Sequence, residues 1–313
     1  MKQPLFWQKP LFESLFWNRT IRKQTFRKHN FSSISTKGGI MPINVVPAAS
    51  FLLLQALVFN PTSLSAGEGL SLSIAPAYQA YVYSEPSVMS IKGQMKGFTG
   101  ALQYAFEEHR HSLRGGYFFG EAMEYTGGKC SVADPSQCQS LIADSNDKYY
   151  YGEYISQWLL TMDGNPLVWF NAGAGYRELH NDVNEASAYK RKQSYIYAVA
   201  GLSLEHKFLE NAVFYTNFYG RYLIRGNNTS YTTGIGFDED LRFTQKKGYG
   251  ALLEVGVKYR MSYVDFGVEL YADGWYVEDS NHITATIQGA SIGDFVEPLN
   301  YTAAIGARVI LGI

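Results

Sequence analysis

Between residue 67 and Ile313 the chain repeats one pattern about ten times: a short stretch of alternating apolar and polar residues, joined to the next by links that are alternately short and long. A period of two places successive side chains on opposite faces of a strand, so each stretch presents two different surfaces. From Val264 to Val277, one face carries Val264, Phe266, Val268, Leu270, Ala272 and Tyr276, and the other Asp265, Glu269, Asp273 and Trp275. A soluble sandwich also alternates, but here the first face is apolar throughout and the second bears full charges. The pattern predicts an all-β fold: a closed antiparallel transmembrane β-barrel of about ten strands in an up-and-down meander, with the apolar face on lipid.

The first 66 residues differ in kind. They hold eight basic residues (Lys2, Lys9, Arg19, Arg22, Lys23, Arg27, Lys28, Lys37) and one acid, Glu13, which leaves the remainder with a net charge of −8. A basic, acid-poor start, the apolar run Phe51 to Phe59 and small residues at Ser63, Ser65 and Ala66 match a secretory signal. The expected division is a leader and signal peptide over 1–66 and a barrel domain over 67–313. Met41 is an alternative start, and an organellar transit peptide is the rival reading, carried by Arg27, Lys28, Ser32, Ser33 and Ser35. The apolar run is too short to span a bilayer as a helix, and no later segment reaches the roughly 20 apolar residues that a spanning helix needs. The 24 Tyr, 19 Phe and 30 Gly suit a barrel whose interfaces are belted by aromatic rings.

Alternation and turn chemistry place strands near 69–84, 94–107, 111–126, 147–161, 167–179, 193–207, 211–226, 247–260, 263–277 and 300–313. The short links are Glu108 to Arg110, Met162 to Pro166, Phe208 to Glu210, and Met261 with Ser262. The long ones are Glu85 to Gly93, Gly127 to Asn146, His180 to Lys192, Asn227 to Lys246 and Glu278 to Leu299. A barrel with both termini in the periplasm has short turns there and long loops outside, which requires an even strand count.

Two resemblances add to this reading. The last strand, with Tyr301, Ile305, Val309, Leu311 and Ile313 on one face, resembles the C-terminal signal for outer-membrane assembly, although Ile313 stands where an aromatic residue is usual. Gly175, Tyr176 and Arg177, the segment His180 to Glu185, Tyr189 to Tyr197, Gly201, and Val296 to Pro298 together resemble an uncharacterised porin-like family of Gram-negative outer-membrane barrels. That resemblance implies a bacterial outer-membrane location and supplies no catalytic residue.

With the apolar face on lipid, the lumen receives Arg114, Glu124, Glu153, Arg177, Glu205, Arg221, Glu254, Lys258, Asp265, Glu269, Asp273 and Arg308. Ten strands enclose little more than the side-chain-filled interior of an eight-stranded barrel, so mixed charges are expected to fill it as a network. A two-residue turn at Met261 and Ser262 would set Lys258 opposite Asp265 and Glu254 opposite Glu269, the two carboxylates requiring Arg308 or Arg221 nearby. The functional alternative for that pair is an acid/base dyad or a cation site. Cys130 and Cys138, in a polar segment of an exported protein, are expected to close a loop as a disulfide. No metal or cofactor is expected, because two thiols alone complete no tetrahedral set and no phosphate loop, HExxH or nucleophile elbow occurs.

The role expected is a non-enzymatic surface protein with a narrow or plugged lumen, its loops serving surface interaction or envelope maintenance. Two alternatives are a small solute channel and an omptin-like or lipid-modifying enzyme at the outer rim. The last draws on Asp279 and His282, with Asp238, Glu239 and Asp240 as further acids. Asn227 to Ser230 formally spell glycosylation acceptors but read as a polar turn. Tyr149 to Tyr151, Tyr195 with Tyr197, and Tyr215 with Tyr219 are stacking platforms or lumen packing. Expected partners are outer-membrane lipid and lipopolysaccharide, the barrel-assembly machinery and an external ligand; the acidic mature charge disfavours nucleic acid.

Overall fold

The computed structural model describes residues 69–130, 138–161 and 165–313, with the backbone alone at 129, 130 and 138. The leader and signal peptide expected over 1–66 lie outside the described residues. The strands are β1 (Gly69–Glu85), β2 (Met89–Phe106), β3 (His109–Cys130), β4 (Cys138–Leu159), β5 (Leu167–Asn181), β6 (Arg191–Leu209), β7 (Ala212–Ser230), β8 (Leu241–Gln245), β9 (Gly248–Arg260), β10 (Asp265–Val277), β11 (His282–Ile287), β12 (Ala290–Val296) and β13 (Asn300–Gly312).

Ten of them close a barrel. Neighbours follow one another in a meander from β1 to β7, then β9, β10 and β13, and β13 returns to β1 through pairs from Ser73↔Gly312 to Ser84↔Tyr301. Closure removes every sheet edge from the barrel wall, which a structure without water beside its backbone requires. Along β10 the even residues face outward and the odd ones inward, and the outward set is exposed, with Leu270 at 62% and Ile305 of β13 at 71%. A continuous apolar belt of that kind is stable only against lipid. Tyr222, Tyr249, Tyr276 and Tyr301 are successive outward register partners and form part of an aromatic girdle at the loop end. Trp158 stacks on Phe170 near the turn end, with centroids 5.8 Å apart.

Three features depart from the sequence expectation. The segment 127–146 is almost wholly strand, because β3 and β4 pair as far as Cys130↔Cys138. Each strand of that hairpin has 22 residues, about 70 Å of extended chain at roughly 3.3 Å per residue, so it rises well beyond a bilayer core. The two cysteines oppose each other in backbone register, and their side chains lie outside the described residues. The expected loop Glu85 to Gly93 likewise shrinks to a tight turn between β1 and β2.

The second departure is a β-bulge in β3 between Gly120 and Met123, where Ala122 takes φ 50°. One extra residue exchanges the faces of all that follows. Met123 therefore turns inward, and Glu124, expected in the lumen, is exposed on the outside.

Third, the last two outer links are themselves folded. The β11–β12 hairpin lays Ala285 and Phe295 against Leu241 and Phe243 of β8, and β8 extends the wall beside β7. The four residues Asn227 to Ser230 belong to β7, not to a loop. Asp238 fastens this cap to the hairpin tip by accepting from the Gln288 and Gly289 N–H groups at 2.8 and 2.9 Å, and these bonds hold its carboxyl below the usual range. Asp238→Ala is expected to speed amide exchange at 288 and 289 while leaving barrel unfolding unchanged; equal exchange in both proteins would show that the hairpin is held from elsewhere.

Candidate functional site

The lumen is where the chain concentrates its buried polar groups. Arg114 (β3), Arg177 (β5), Arg221 (β7) and Arg308 (β13) face Glu153 (β4), Glu254 (β9), Glu269 and Asp273 (β10), four cations against four acids. Arg308 Nη2 lies 2.5 Å from both Glu254 Oε1 and Glu269 Oε1. Glu254 Oε2 also accepts from Asn217 Nδ2 at 3.0 Å and meets Arg114 Nη1 at 3.4 Å. Arg114 Nε donates to Glu153 at 2.6 Å, and Arg221 spans Glu153 at 2.9 Å and Asp273 at 2.7 Å. Tyr215 and Tyr197 donate their hydroxyls to Glu269 and Glu153, each at 2.8 Å. Arg177 donates to Thr302 Oγ1 at 3.3 Å and stands over the Tyr149 ring, 4.7 Å from its centroid. Arg114, Arg221 and Arg308 are thus ion-paired, as charges taken from water must be, whereas Arg177 has only the Thr302 bond and the Tyr149 ring, with no ion pair among the described residues.

Glycines on the inward face make room for the rings. A Cβ at Gly175 would stand 2.5 Å from the Tyr197 ring, one at Gly256 2.5 Å from the Tyr215 hydroxyl, and one at Gly306 2.6 Å from Tyr271. Among the charges and above them, Tyr81, Tyr149, Phe118, Tyr195, Tyr197, Tyr271 and Trp275 pack across the barrel. Phe118 stacks on Tyr149 at 4.9 Å and Trp275 meets Tyr197 edge-on at 4.9 Å. Gln79 ties the layer, accepting from Tyr149 at 3.1 Å and Tyr271 at 2.9 Å. Gln79, Tyr83 and Met95 are each 0% exposed although all point into the lumen. A water-wide path past them would leave them wetted, so side chains close the lumen around these three. The lumen-packing reading of Tyr149, Tyr195, Tyr197, Tyr215 and Tyr219 is the arrangement found.

The register of the β9–β10 hairpin corrects two expected pairs. Met261 N–H donates to Val264 O at 2.9 Å, so the turn uses four residues rather than two, and every opposing sum rises by two. Asp265 faces Arg260, with Nε 3.2 Å from Oδ1, while Lys258 faces Gly267 and stands over the Tyr215 ring near the turn end. Glu254 faces Tyr271 and Glu269 faces Gly256. The two carboxylates are therefore diagonal neighbours bridged by Arg308, and Lys258 and Asp265 sit at the turn-end mouth outside the central network. At that mouth Arg110 pairs with Glu205 at 2.5 Å.

A second buried cluster at the loop end has no clear signature in the sequence, since its members come from distant segments. Arg191 pairs with Glu85 and lies 3.5 Å from Glu297, and Gln193 donates to Glu297 at 3.0 Å. Two carboxylates share one guanidinium. Burial, and then the Glu85 charge, push the carboxyl of Glu297, in the link between β12 and β13, up to about 8 against the opposing pull of Arg191. A folded value above the ordinary carboxylate range means that the closed cap holds a proton the opened one releases. Its cost is absent below that range, grows as pH rises from there to about 8, and is constant above. Corrected amide exchange over 279–299 is expected to quicken from pH 6 to pH 9 in the native protein and to stay level in Glu297→Gln; a native profile as flat as the variant's would place the proton elsewhere.

The acids considered for rim catalysis are engaged otherwise. Asp279 Oδ1 accepts the Leu299 N–H at 2.7 Å, and Asp240 Oδ1 accepts from Thr233 N and Oγ1 at 3.1 and 2.8 Å. His282 is exposed at the start of β11, and Glu239 is exposed in the link between β7 and β8. Among the described residues, no three His, Cys, Asp or Glu side chains are grouped to hold a metal ion.

No family model and no curated protein matches the chain in sequence. In structure it is similar to the outer membrane protease OmpT from Escherichia coli, with a TM-score of 0.53 and 9% identity over 80% of this chain and 99% of that one. Looser matches are the Pseudomonas putida toluene transporter TodX (TM-score 0.31, 7% identity, 80% and 90% of the two chains) and Ail of Yersinia pestis (0.28, 15%, 78% and 99%). The first likeness shows the fold: the closed antiparallel barrel of outer-membrane proteins.

Proposed function

We infer that the protein is a non-enzymatic bacterial outer-membrane barrel with a plugged lumen, its working surface the folded cap and long hairpin at the loop end. The observation that supports this is the filled cross-section: four arginines and four acids from seven strands, roofed by a layer of aromatic rings. Such a network rigidifies the barrel and leaves no room for a hydrated solute. The cap, fastened through Asp238 and the β8 contact, offers an external partner a preformed surface. The membrane-facing apolar belt and the girdles locate the barrel in lipid, and the fold shared with OmpT supports the outer membrane.

Liposome swelling tests the reading against the channel alternative. Vesicles carrying the purified barrel are expected to show no swelling in iso-osmotic arabinose or glycine beyond protein-free vesicles. Swelling that rises with protein content would favour the solute channel.

A further inference from the structure

The loop end of the lumen buries more negative charge than its own side chains answer. Glu85, Asp147 and Glu297 are each buried there, and the buried cation paired with this group is Arg191. Arg191 meets Glu85 and lies 3.5 Å from Glu297. Asp147 accepts from Ser145 and Asn181, each at 2.6 Å, and has no ion pair among the described residues. Three carboxylates against one guanidinium leave a surplus of two negative charges, which a dry site holds only with further cations or protons.

Bare oxygens show where a cation fits. Arg191 addresses both Glu85 and Glu297 through Oε1, and so do Tyr83 toward Glu85 at 2.7 Å and Gln193 toward Glu297 at 3.0 Å. Glu85 Oε2 is left buried without a hydrogen-bond partner among the described residues. The register partner of Gln193 on β7 is Asn228, so the two side chains stand together on the inward face. Asn228 is 0% exposed, and neither its Oδ1 nor its Nδ2 has a partner among the described residues. A buried carboxamide left in that state is costly. Water would satisfy the amide but not the surplus charge.

We propose that Glu85, Glu297 and Asn228 hold a calcium ion beneath the cap, with water completing its shell. Calcium takes about six to eight oxygen ligands in an adaptable geometry and accepts carboxylate and carboxamide oxygens alike. Its two charges match the surplus. The shell draws on two carboxylates, in keeping with the absence of a three-acid group, and such sparse sites bind weakly, with Kd of about 0.1–1 mM. Bound there, the ion ties the β12–β13 link, through Glu297, to the barrel wall at β1 and β7.

The test is amide exchange over 279–299 in the full-length barrel, folded in detergent micelles and stripped with EDTA, at pH 9. Exchange is compared in about 10 mM calcium chloride and in choline chloride of equal ionic strength. An ion bound only by the closed cap slows exchange by the factor 1 + [Ca]/Kd, about 10–100-fold for such a site. Asn228→Leu keeps the volume and every charge but removes a ligand, and its slowing is expected to fall below about threefold. In Glu85→Gln the slowing is expected to vanish. Glu239→Gln, which removes an exposed acid of the β7–β8 link, keeps the full effect. The mobility of unheated protein on gels reports whether each variant is folded. Equal exchange of the native protein in calcium and choline would overturn the site. So would equal slowing of the native protein and Glu85→Gln, or a loss of the effect in Glu239→Gln.

Discussion

Replacing Arg308 by Met is expected to cost about 3–5 kcal/mol of barrel stability, the penalty for leaving a buried charge without its partner. Among the described residues, Arg308 Nη2 is the cation within 4 Å of Glu269, at 2.5 Å, and one of two beside Glu254. Methionine preserves much of the stem's packing but answers neither carboxylate. Glu254 keeps Arg114 and Asn217; Glu269 keeps only the Tyr215 hydroxyl. The pairing therefore predicts an asymmetric rescue. Arg308→Met/Glu269→Gln should recover most of the loss, and Arg308→Met/Glu254→Gln less, because the two carboxylates are unequally supplied with other donors. Urea unfolding in lipid vesicles, followed by tryptophan fluorescence, measures all three. A loss below about 1 kcal/mol in the single variant would mean that water reaches the pair, against the burial cost assumed here.

Trp275→Ala is expected to cost a similar amount, about 3–5 kcal/mol for a large aromatic removed from a packed interior. Its cause is different. Trp275 is 4% exposed, meets Tyr197 edge-on and Tyr195 at 5.7 Å, and carries the Arg221 guanidinium 5.6 Å above its ring. The wall cannot close over the space, since backbone hydrogen bonds fix the barrel's circumference, so the void persists or fills with water. Water there would loosen Arg221 from Glu153 and Asp273, and the variant is expected to leak ions where the native protein does not. Native-like stability in Trp275→Ala would show that the aromatic layer is loosely packed.

The barrel itself was legible in the sequence because a strand with two solvents must alternate. The ten expected strands lie within a few residues of those found, except where β2 begins early, at Met89, and where β3 and β4 run on into what reads as a polar loop. That extension, Gly127 to Cys130 and Cys138 to Asn146, is paired in backbone register, but its sequence places no continuous run of apolar residues on either face, so it lacks the apolar face that betrays a membrane strand. The bulge at Ala122 was hidden for a related reason: a one-residue slip is visible only through the partner strand. The hairpin register failed on the turn, since Met261 to Val264 close with one hydrogen bond that residue types alone do not specify. Face assignment, which survives a shift of two, narrowed the partner of Glu254 and Glu269 to Arg308 or Arg221 but could not choose between them; Arg308 lies at the pair, and Arg221 lies at Glu153 and Asp273. The cluster of Glu85, Arg191 and Glu297 joins segments more than 100 residues apart, and neither spacing nor composition unites them.

The central claim is that side chains fill the lumen. Single-channel recording of the purified native barrel in a planar bilayer, at 1 M KCl and both polarities, tests it most directly. The filled lumen predicts a flat baseline from the native protein and current steps from Trp275→Ala. Regular, protein-dependent steps of uniform size in the native protein would contradict it, and would require a continuous path of water past Gln79 and Arg308.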